Sequence, residues 1–371
     1  MRDLSLLDER QEKEIRLRNY LCDNNLDAVV IGRQSNFAWL SAGGRNYVMA
    51  ASDFGAACTV ITKDKKYLVA NTMDGERILT EELTNSGYEL INLKWFEKSI
   101  DETVSSLISG FKTISDIPIS GATLDSNALF NLHYPLSSYE IDRYRTTAAL
   151  AENIIRVIAD QVKPGMTEKD VEVMLCEEYV RNGFFETVIL IGSDERIEKY
   201  RHPVPTDKKI KNTLLLAPSP RKNGLFSPIS RMVYFGDAVP AELRKKYDTL
   251  LDMEAQVMAC CQPGETFSKI NDFEKSLYKK SPYPDEWQNH FMGGLTGYVP
   301  NEPGQYRDPL AKVRPFQTFN WYLTVSGAKV EEILLTKETG NEIISTGGVW
   351  PLKTMEVEGN IYALPDILLK Y

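Results

Sequence analysis

Histidine is scarce in this chain, which has three among 371 residues. A histidine with a catalytic or ligand role must therefore be His133, His202 or His290. The five cysteines are odd in number, Cys260 and Cys261 are adjacent, and no two have C-x-x-C spacing. We interpret them as small buried thiols in a reducing environment, which predicts a cytoplasmic location and excludes a disulfide framework.

Basic charge and long apolar runs are also lacking. The net charge is −9, which does not suit a surface for nucleic acid or for an anionic membrane. No apolar run reaches the roughly 18 residues that a membrane span needs. The first segment, MRDLSLLDERQEKEIRLRNYL, is charged throughout and has no apolar stretch typical of a secretory signal. We therefore expect no nucleic-acid partner, no membrane partner and no signal peptide.

The chain length favours two domains. Strand-like and helical segments alternate up to about Leu132, which predicts a small α/β domain. A segment with proline and serines follows, and Tyr139 to Val162 is expected to form a long helix. We place the boundary near Pro135, so the predicted domains are 1–135 and 136–371.

The second domain contains a weak internal repeat. Gln161–Gly183 resembles Cys260–Pro282, because in both a long helix runs into Pro-Gly-x-Thr and a second amphipathic helix follows. Thr167 and Thr266 are natural N-caps for the second helices. Extended sequence rich in glycine and aromatic residues follows each copy. The repeat therefore predicts two halves of similar structure, with a cleft between them that suits a small molecule.

Two histidines and a pair of glutamates are candidates for chemistry. His202 lies in KYRHPVPTDK and His290 in DEWQNHFMGGLTGYVPNEP, and both are loop sequences, where functional residues concentrate. WYLTVSGAKVEEILLT alternates like a hairpin that turns at Gly327. Glu331 and Glu332 must then point to opposite faces, so that one faces the cleft. The alternative is that both are ordinary edge charges.

The stretch LLLAPSPRKNGLFSPISR, Leu214–Arg231, predicts two strands joined by a turn. Such a pair of strands is a common place for carboxylates that bind a metal. Here the inward-looking positions include Ala217 and Pro228, which carry no group able to coordinate a cation.

The chain resembles the aminopeptidase P / creatinase family (peptidase family M24, Xaa-Pro dipeptidase-like) over nearly its whole length. The resemblance is carried by LDAVVIG, SNFAWLSAG, SSYEIDRYRTTAALA and the two Pro-Gly-x-Thr repeats. It implies an α/β (α+β) fold, in which a creatinase-like N-terminal α/β domain precedes a pita-bread C-terminal domain with an internal pseudo-twofold repeat. It also implies a hydrolase that assembles as a homodimer.

The positions that match the family's metal ligands are mostly replaced. Ala217 and Pro228 match two aspartates, and Tyr322 is the closest counterpart of a glutamate. His290 is the nearest candidate for the metal-binding histidine, and Glu331 matches the final glutamate ligand. One histidine and one carboxylate are too few to hold a pair of divalent ions. The sequence therefore predicts no metal and no other cofactor.

The resemblance then implies metal-independent hydrolysis of a C–N bond in a small peptide or amino-acid derivative, as in creatinases. His202 matches a histidine that contacts substrate and would act as general base or acid. His290 would orient the reacting carbonyl, and Glu331 would hold a substrate amine or guanidinium. The other residues expected to bind substrate are Arg231, Glu302 and Tyr298.

Two other functions stay open at this stage. A non-catalytic pseudoenzyme, acting as a homodimer that binds a small molecule, agrees with the simultaneous replacement of three ligand positions. A true metal-dependent Xaa-Pro dipeptidase would need unrecognised ligands such as Asp207, Glu302 or Asp308. Metal analysis, chelation and a panel of C–N substrates distinguish the three functions.

Overall fold

A computed structural model describes residues 2–185, 188–302 and 308–371 of the chain. The chain divides into two compact units, Met1–Glu140 and Ile141–Tyr371. The domain limits expected from the sequence, 1–135 and 136–371, stay a prediction. Within the described ranges, no helix has the length and apolar character required to cross a membrane.

The first unit is built on a six-stranded mixed sheet. The strand order is β4-β3-β2-β1-β5-β6, and alternate residues of the three central strands β1, β2 and β3 pack on helix α4. A π-helical turn, Ile78–Glu82, follows α3. The elements are α1 (Arg2–Asp23), β1 (Ala28–Arg33), α2 (Gln34–Leu40), β2 (Phe54–Thr62), β3 (Lys66–Asn71), α3 (Gly75–Arg77), β4 (Glu89–Leu93), α4 (Ile100–Leu107), β5 (Thr113–Ser115), β6 (Thr123–Leu124) and α5 (Ser126–Leu132).

The second unit contains two four-stranded sheets, in the orders β18-β11-β8-β7 and β12-β13-β14-β15. A bridge between Ser230 and Glu331 connects them. The elements are α6 (Ser138–Gln161), α7 (Glu168–Arg181), β7 (Ile189–Ser193), α8 (Glu195–Lys199), β8 (Thr213–Pro218), β9 (Arg221–Lys222), β10 (Leu225–Phe226), β11 (Arg231–Phe235), α9 (Ala241–Cys260), α10 (Phe267–Lys280), β12 (Gly294–Leu295), β13 (Thr318–Val325), β14 (Ala328–Thr336), β15 (Asn341–Ile343), β16 (Leu352–Val357), β17 (Asn360–Pro365) and β18 (Leu368–Lys370).

The apolar core of the second unit lies between helices α6 and α7 and the sheet that contains β8. Leu214 and Leu216 of β8 belong to this core, and residues of opposite parity, such as Ala217, lie on the other face. The apolar stripe of α6 supplies Ile154, Ile155 and Ile158. One face of this sheet is therefore sealed by helices, and the other face is available for the site.

The internal repeat is present as the same local structure twice. The backbone N–H of Gly165 donates to a carbonyl in the strand-like segment that follows, and that of Gly264 does the same, each over 2.9 Å. Both glycines have positive φ angles, +93° and +99°. Thr167 and Thr266 then cap α7 and α10 through their side chains. The predicted similarity of the two Pro-Gly-x-Thr copies is therefore confirmed for their local structure.

Candidate functional site

The hairpin formed by β13 and β14 carries the residues at the centre of the site. It turns at Gly327, whose φ angle is +92°, as the sequence predicts. Its register pairs Tyr322 with Glu331 and Trp321 with Glu332. Successive side chains alternate across a strand, so Glu331 and Glu332 lie on opposite faces, and this prediction is confirmed by their different partners.

Glu331 forms a buried ion pair with Lys329. The ammonium nitrogen of Lys329 lies 2.9 Å from Oε2 of Glu331, and both residues are 6% exposed. Ser230 Oγ donates to the same oxygen over 2.5 Å, and Asn320 Nδ2 donates to Oε1 over 2.8 Å. Burial alone raises the pKa of Glu331, but the Lys329 charge and these hydrogen bonds outweigh it and lower the pKa. The carboxylate therefore stays ionised.

Two histidines and a tyrosine lie next to this ion pair. The ring centroids of His202 and His290 are 4.9 Å apart, and those of His290 and Tyr322 are 5.0 Å apart. The ammonium of Lys329 lies over the Tyr322 ring, 5.6 Å from its centroid. We call Lys329, Glu331, Tyr322, His202 and His290 the lysine cluster.

Both histidines of the lysine cluster are held in the neutral form. Burial and the positive charge of Lys329 lower the pKa of His290 to about 4 and lower that of His202 as well. His290 Nδ1 lies 2.8 Å from the carbonyl oxygen of Phe291, which only accepts, so Nδ1 carries the proton. Nε2 of His290 then has a lone pair, and it is buried without a hydrogen-bond partner.

Glycine allows the loop of His290 to approach strand β13 closely. Gly293 has a φ angle of +90°, and a Cβ atom there would lie 2.5 Å from the carbonyl oxygen of Asn320. A larger residue would push the loop away from the strand. Gly293 therefore fixes His290 beside Tyr322.

A second glycine positions the loop of His202. The carbonyl of Pro203 accepts a hydrogen bond from β7 over 3.0 Å, and a Cβ atom on Gly192 would lie 2.7 Å from the Pro203 ring. The adjacent His202 stays solvent-accessible. The loop thus places His202 in contact both with solvent and with His290 of the lysine cluster.

A cavity of about 550 Å³ opens beside the two histidines. Its wall includes Arg201, His202, Lys275, Trp287 and His290. This volume falls within the usual range for small-molecule sites. His202 and His290 of the lysine cluster therefore line a cavity that is large enough for a small substrate.

The positions that match the family's aspartates supply no ligand. Ala217 and Pro228 are buried. The register pairs Leu216 with Arg231, which places Ala217 opposite Ser230, on the same side of the sheet as Glu331. A methyl group and a pyrrolidine ring stand where carboxylates would be needed.

A divalent cation does not fit the donor set that is present. Within residues 2–185, 188–302 and 308–371, no three His, Cys, Asp or Glu residues come together in a way that could hold a metal ion. Both oxygens of Glu331 already accept hydrogen bonds, and the Lys329 ammonium would repel a second cation. The hydroxyl of Tyr322 is directed to Asn301 over 3.3 Å.

The alternative metal ligands considered from the sequence do not assemble. The side chain of Asp207 is 84% exposed and pairs with Lys169. Asp308 is exposed, whereas Glu302 is fully buried. These three residues therefore do not form the site that an unrecognised metallopeptidase would need.

The predicted substrate-binding role of Arg231 is corrected by its surroundings. Its side chain is fully buried, pairs with Glu152 over 2.6 Å and with Glu332, and stacks on Trp350. Arg231 lies on the opposite face of the sheet from Ser230. Its charge is engaged inside the core, and Arg231 is absent from the described residues that line the cavity.

Glu302 and Tyr298 are also buried and lie outside the wall of the cavity. Glu302 Oε1 accepts a hydrogen bond from the backbone of Val299 over 3.2 Å, and the Tyr298 hydroxyl accepts one from Arg143 over 3.2 Å. We therefore assign both residues to holding the loop in shape, in place of the predicted contact with substrate.

Buried acids outside the lysine cluster make the stability of the fold depend on pH. Burial raises the pKa of Glu332 to about 7 and raises those of Glu254 and Glu274 well above their ordinary value. Within residues 2–185, 188–302 and 308–371, the carboxyl oxygens of Glu254 and Glu274 have no hydrogen-bond partner. A raised folded-state pKa means that the stability present below pH 4.5 is lost as pH rises toward the folded-state pKa.

We therefore expect Glu274→Gln to raise the free energy of unfolding at pH 8 by about 1–3 kcal/mol relative to the parent chain, with little difference at pH 5. The amide cannot ionise, so the mutant avoids the loss that the acid suffers at high pH. Urea unfolding at both pH values measures this difference. Glu242→Gln, at a side chain 81% exposed, is the control. Equal responses of the two variants to pH would contradict the burial argument.

Residues of the site that the sequence interpretation missed are Lys329, Ser230 and Asn320. The sequence could have predicted one of them. Lys329 and Glu331 are two apart in a strand, so their side chains must lie on the same face. The contacts from Ser230 and Asn320 join separate strands and have no local signature.

Several solved structures have the same fold as this chain. The chain is similar to an Xaa-Pro dipeptidase from Bacillus anthracis (TM-score 0.75, 17% identity, 97% of this chain and 99% of that chain covered). It is also similar to the prolidase from Pyrococcus horikoshii OT3 (TM-score 0.73, 17% identity, 90% and 98% covered). A third is the N-terminal domain of FACT complex subunit SPT16 from Cicer arietinum (TM-score 0.66, 14% identity, 92% and 97% covered). These likenesses define the fold, a creatinase-like α/β domain followed by a pita-bread domain, as predicted.

The sequence comparison gives the family. Residues 142–336, more than half of the chain, match the profile of metallopeptidase family M24. An uncharacterized peptidase of Staphylococcus saprophyticus is 24% identical over 224 residues, which are 56% of this chain and 62% of that protein. One of Staphylococcus aureus is 23% identical over 251 residues, 64% of this chain and 68% of that protein. The chain belongs to family M24.

Proposed function

We propose that this chain is a hydrolase that cleaves a C–N bond in a small peptide or amino-acid derivative without a metal ion. The observation that carries the proposal is the ion pair of Lys329 with Glu331, which sets a fixed cation beside two neutral histidines. Relatives named as peptidases and dipeptidases support hydrolysis at a C–N bond. The donor set of the cluster supports the absence of a metal from the reaction.

His202 is the general base in this proposal. It is solvent-accessible, lies at the cavity wall and is neutral at pH 7. It takes a proton from water as the water oxygen bonds to the carbonyl carbon, and it returns that proton to the nitrogen as the C–N bond breaks. General acid–base assistance of this kind contributes about 10²–10⁴-fold.

Lys329 supplies the positive charge that favours the developing oxyanion. A preorganised cation in a site shielded from water acts strongly on charge that appears only in the transition state. Glu331, whose oxygens are engaged by Lys329, Ser230 and Asn320, is not available to hold a substrate amine. Its proposed role changes to holding the Lys329 ammonium in place.

The expected role of His290 also changes. Its Nδ1 proton is committed to the carbonyl of Phe291, so Nε2 cannot donate to a reacting carbonyl in the neutral form. Nε2 can accept a hydrogen bond from an N–H group of the substrate. We therefore assign His290 to orienting the substrate through its nitrogen rather than through its carbonyl.

The test is hydrolysis with and without chelator. Protein dialysed against EDTA is incubated with Xaa-Pro and other dipeptides, N-acyl amino acids and creatine, and products are measured by mass spectrometry. We expect turnover of at least one class, unaffected by chelation and at least about 10²-fold slower in His202→Ala. Lys199→Ala, an exposed change nearby, is the control. Turnover that chelation abolishes would contradict the proposal.

The alternative is a pseudoenzyme that binds a small molecule, and the replacement of Ala217, Pro228 and Tyr322 together favours it. No turnover across the panel, combined with thermal stabilisation by one of the compounds, would support this alternative. The homodimer and the cytoplasmic location expected from the sequence stay predictions.

A further inference from the structure

The cavity beside the lysine cluster has a wall that suits an anion. Of the described residues that line it, none is Asp or Glu, whereas Arg201 and Lys275 are cations. Arg201 pairs with Glu286 through a terminal nitrogen, but its Nε–H is buried and has no partner among the described residues. The ammonium of Lys275 lies 3.8 Å from Asp272 and over the face of Trp287. Hydrogen-bond donors on this wall are thus available to a ligand.

A single acceptor complements these donors on the same wall. Nε2 of His290 is buried, has no partner in the part of the chain that the structure describes, and presents a lone pair because Nδ1 donates to Phe291. A buried acceptor without a partner costs free energy, and a ligand N–H would recover it. The ligand that complements the wall therefore has a negative oxygen group and an N–H.

We propose that this cavity recognises an amino-acid derivative or short peptide with a free carboxylate and a secondary amide. Lys275 and Arg201 bind the carboxylate, and the amide N–H donates to Nε2 of His290. The inference deepens the proposed hydrolase function, on which it rests for the bond that is cleaved, while recognition is measured separately as binding.

A consequence follows for proline-containing substrates. The amide nitrogen of an Xaa-Pro bond carries no hydrogen, so it would leave Nε2 of His290 unpaired. A site built to pair with an N–H rejects analogues that lack it. We therefore expect a preference for non-proline amides, unlike the activity named for the Bacillus anthracis neighbour.

Isothermal titration calorimetry of the full chain tests the carboxylate. N-acetylalanine is expected to bind at least about tenfold more tightly than its methyl ester, since hydrogen bonds to charged groups are the stronger ones. Lys275→Met is expected to weaken binding of the acid by about tenfold and leave the ester unchanged. Lys279→Met, an exposed lysine on the same helix, is the matched control and should bind like the parent. Equal affinities for acid and ester, or no effect of Lys275→Met, would overturn the proposal.

The amide N–H is tested with N-acetyl-N-methylalanine, which differs by one methyl group on nitrogen. We expect its binding to be about tenfold weaker than that of N-acetylalanine, and we expect His290→Phe to remove the difference. Circular dichroism confirms that each variant is folded, and His290→Gln, which restores a polar group, provides a second variant. A preference that persists in both variants would overturn the role of His290.

Binding and hydrolysis fail in distinguishable ways. Tight binding of N-acetylalanine with no turnover of any compound in the hydrolysis panel keeps this inference and contradicts the proposed hydrolase. Release of acetate with equal affinity for acid and ester keeps the hydrolase and contradicts the inference.

Discussion

Replacing Lys329 by methionine is expected to lower kcat/KM by about 10²–10³-fold, the loss typical of removing one preorganised group that stabilises an oxyanion. The change removes the fixed cation, while the long apolar side chain preserves contact with the ring of Tyr322. Steady-state kinetics on the best substrate of the hydrolysis panel measures the loss. Lys337→Met, beyond the end of the same strand, is the matched control and should retain activity.

The pH profile separates an electrostatic role of Lys329 from a merely structural one. Burial lowers the pKa of His202 and of His290, and the positive charge of Lys329 lowers both further. Without that charge both pKa values rise, so the acid limb of kcat/KM is expected to move to higher pH in Lys329→Met. A variant that loses activity with an unmoved acid limb would contradict the electrostatic role.

Stability provides a further control for this variant. Removing Lys329 leaves Glu331 buried without its counter-charge, a change that typically costs about 3–5 kcal/mol. Lys329→Met/Glu331→Gln removes both charges and is expected to recover most of that stability without recovering activity. Urea unfolding and kinetics on the two variants test this together.

The second prediction with a large expected effect concerns the stability of the core around Arg231. Arg231→Met is expected to lower the free energy of unfolding by about 3–5 kcal/mol, because Glu152 and Glu332 then share a buried site without a cation. Arg181→Met, at a side chain 67% exposed that pairs along its own helix, is the control and is expected to cost less than about 1 kcal/mol. Urea unfolding at pH 7 compares the two variants. Similar losses in both would contradict the structural role of Arg231.

Replacing Arg231, Glu152 and Glu332 together is a second test of the structural role of Arg231. Arg231→Met/Glu152→Leu/Glu332→Leu removes the three charges of this buried network. We expect the triple variant to regain most of the stability that Arg231→Met loses, since it removes all three charges of this ion network and apolar side chains of similar size can replace such a network at little cost.

The parts of the fold that could be predicted are those with local causes. The Pro-Gly-x-Thr repeats specify a glycine with positive φ and a threonine cap, and both occur twice. The hairpin at Gly327 and the opposite faces of Glu331 and Glu332 follow from alternation along strands.

The parts that could not be predicted depend on partners far away in the chain. Arg231 looks like a site residue in SPISR, and its role is decided by Glu152 and Glu332, which lie 79 and 101 positions away. The proton position on His290 depends on a backbone carbonyl, which side-chain identity cannot reveal. Lys329 could have been placed beside Glu331 by parity alone, but an isolated lysine in a strand also fits an edge charge.

The central claim is that the ammonium of Lys329, and not a metal ion, is the cation of this site. Its most direct test is elemental analysis of the purified chain after equilibration with Mn²⁺, Zn²⁺ or Co²⁺ and removal of free metal. The ion pair of Lys329 with Glu331 predicts no stoichiometric metal in the parent protein. About one or two ions per chain, retained through dialysis, would contradict it.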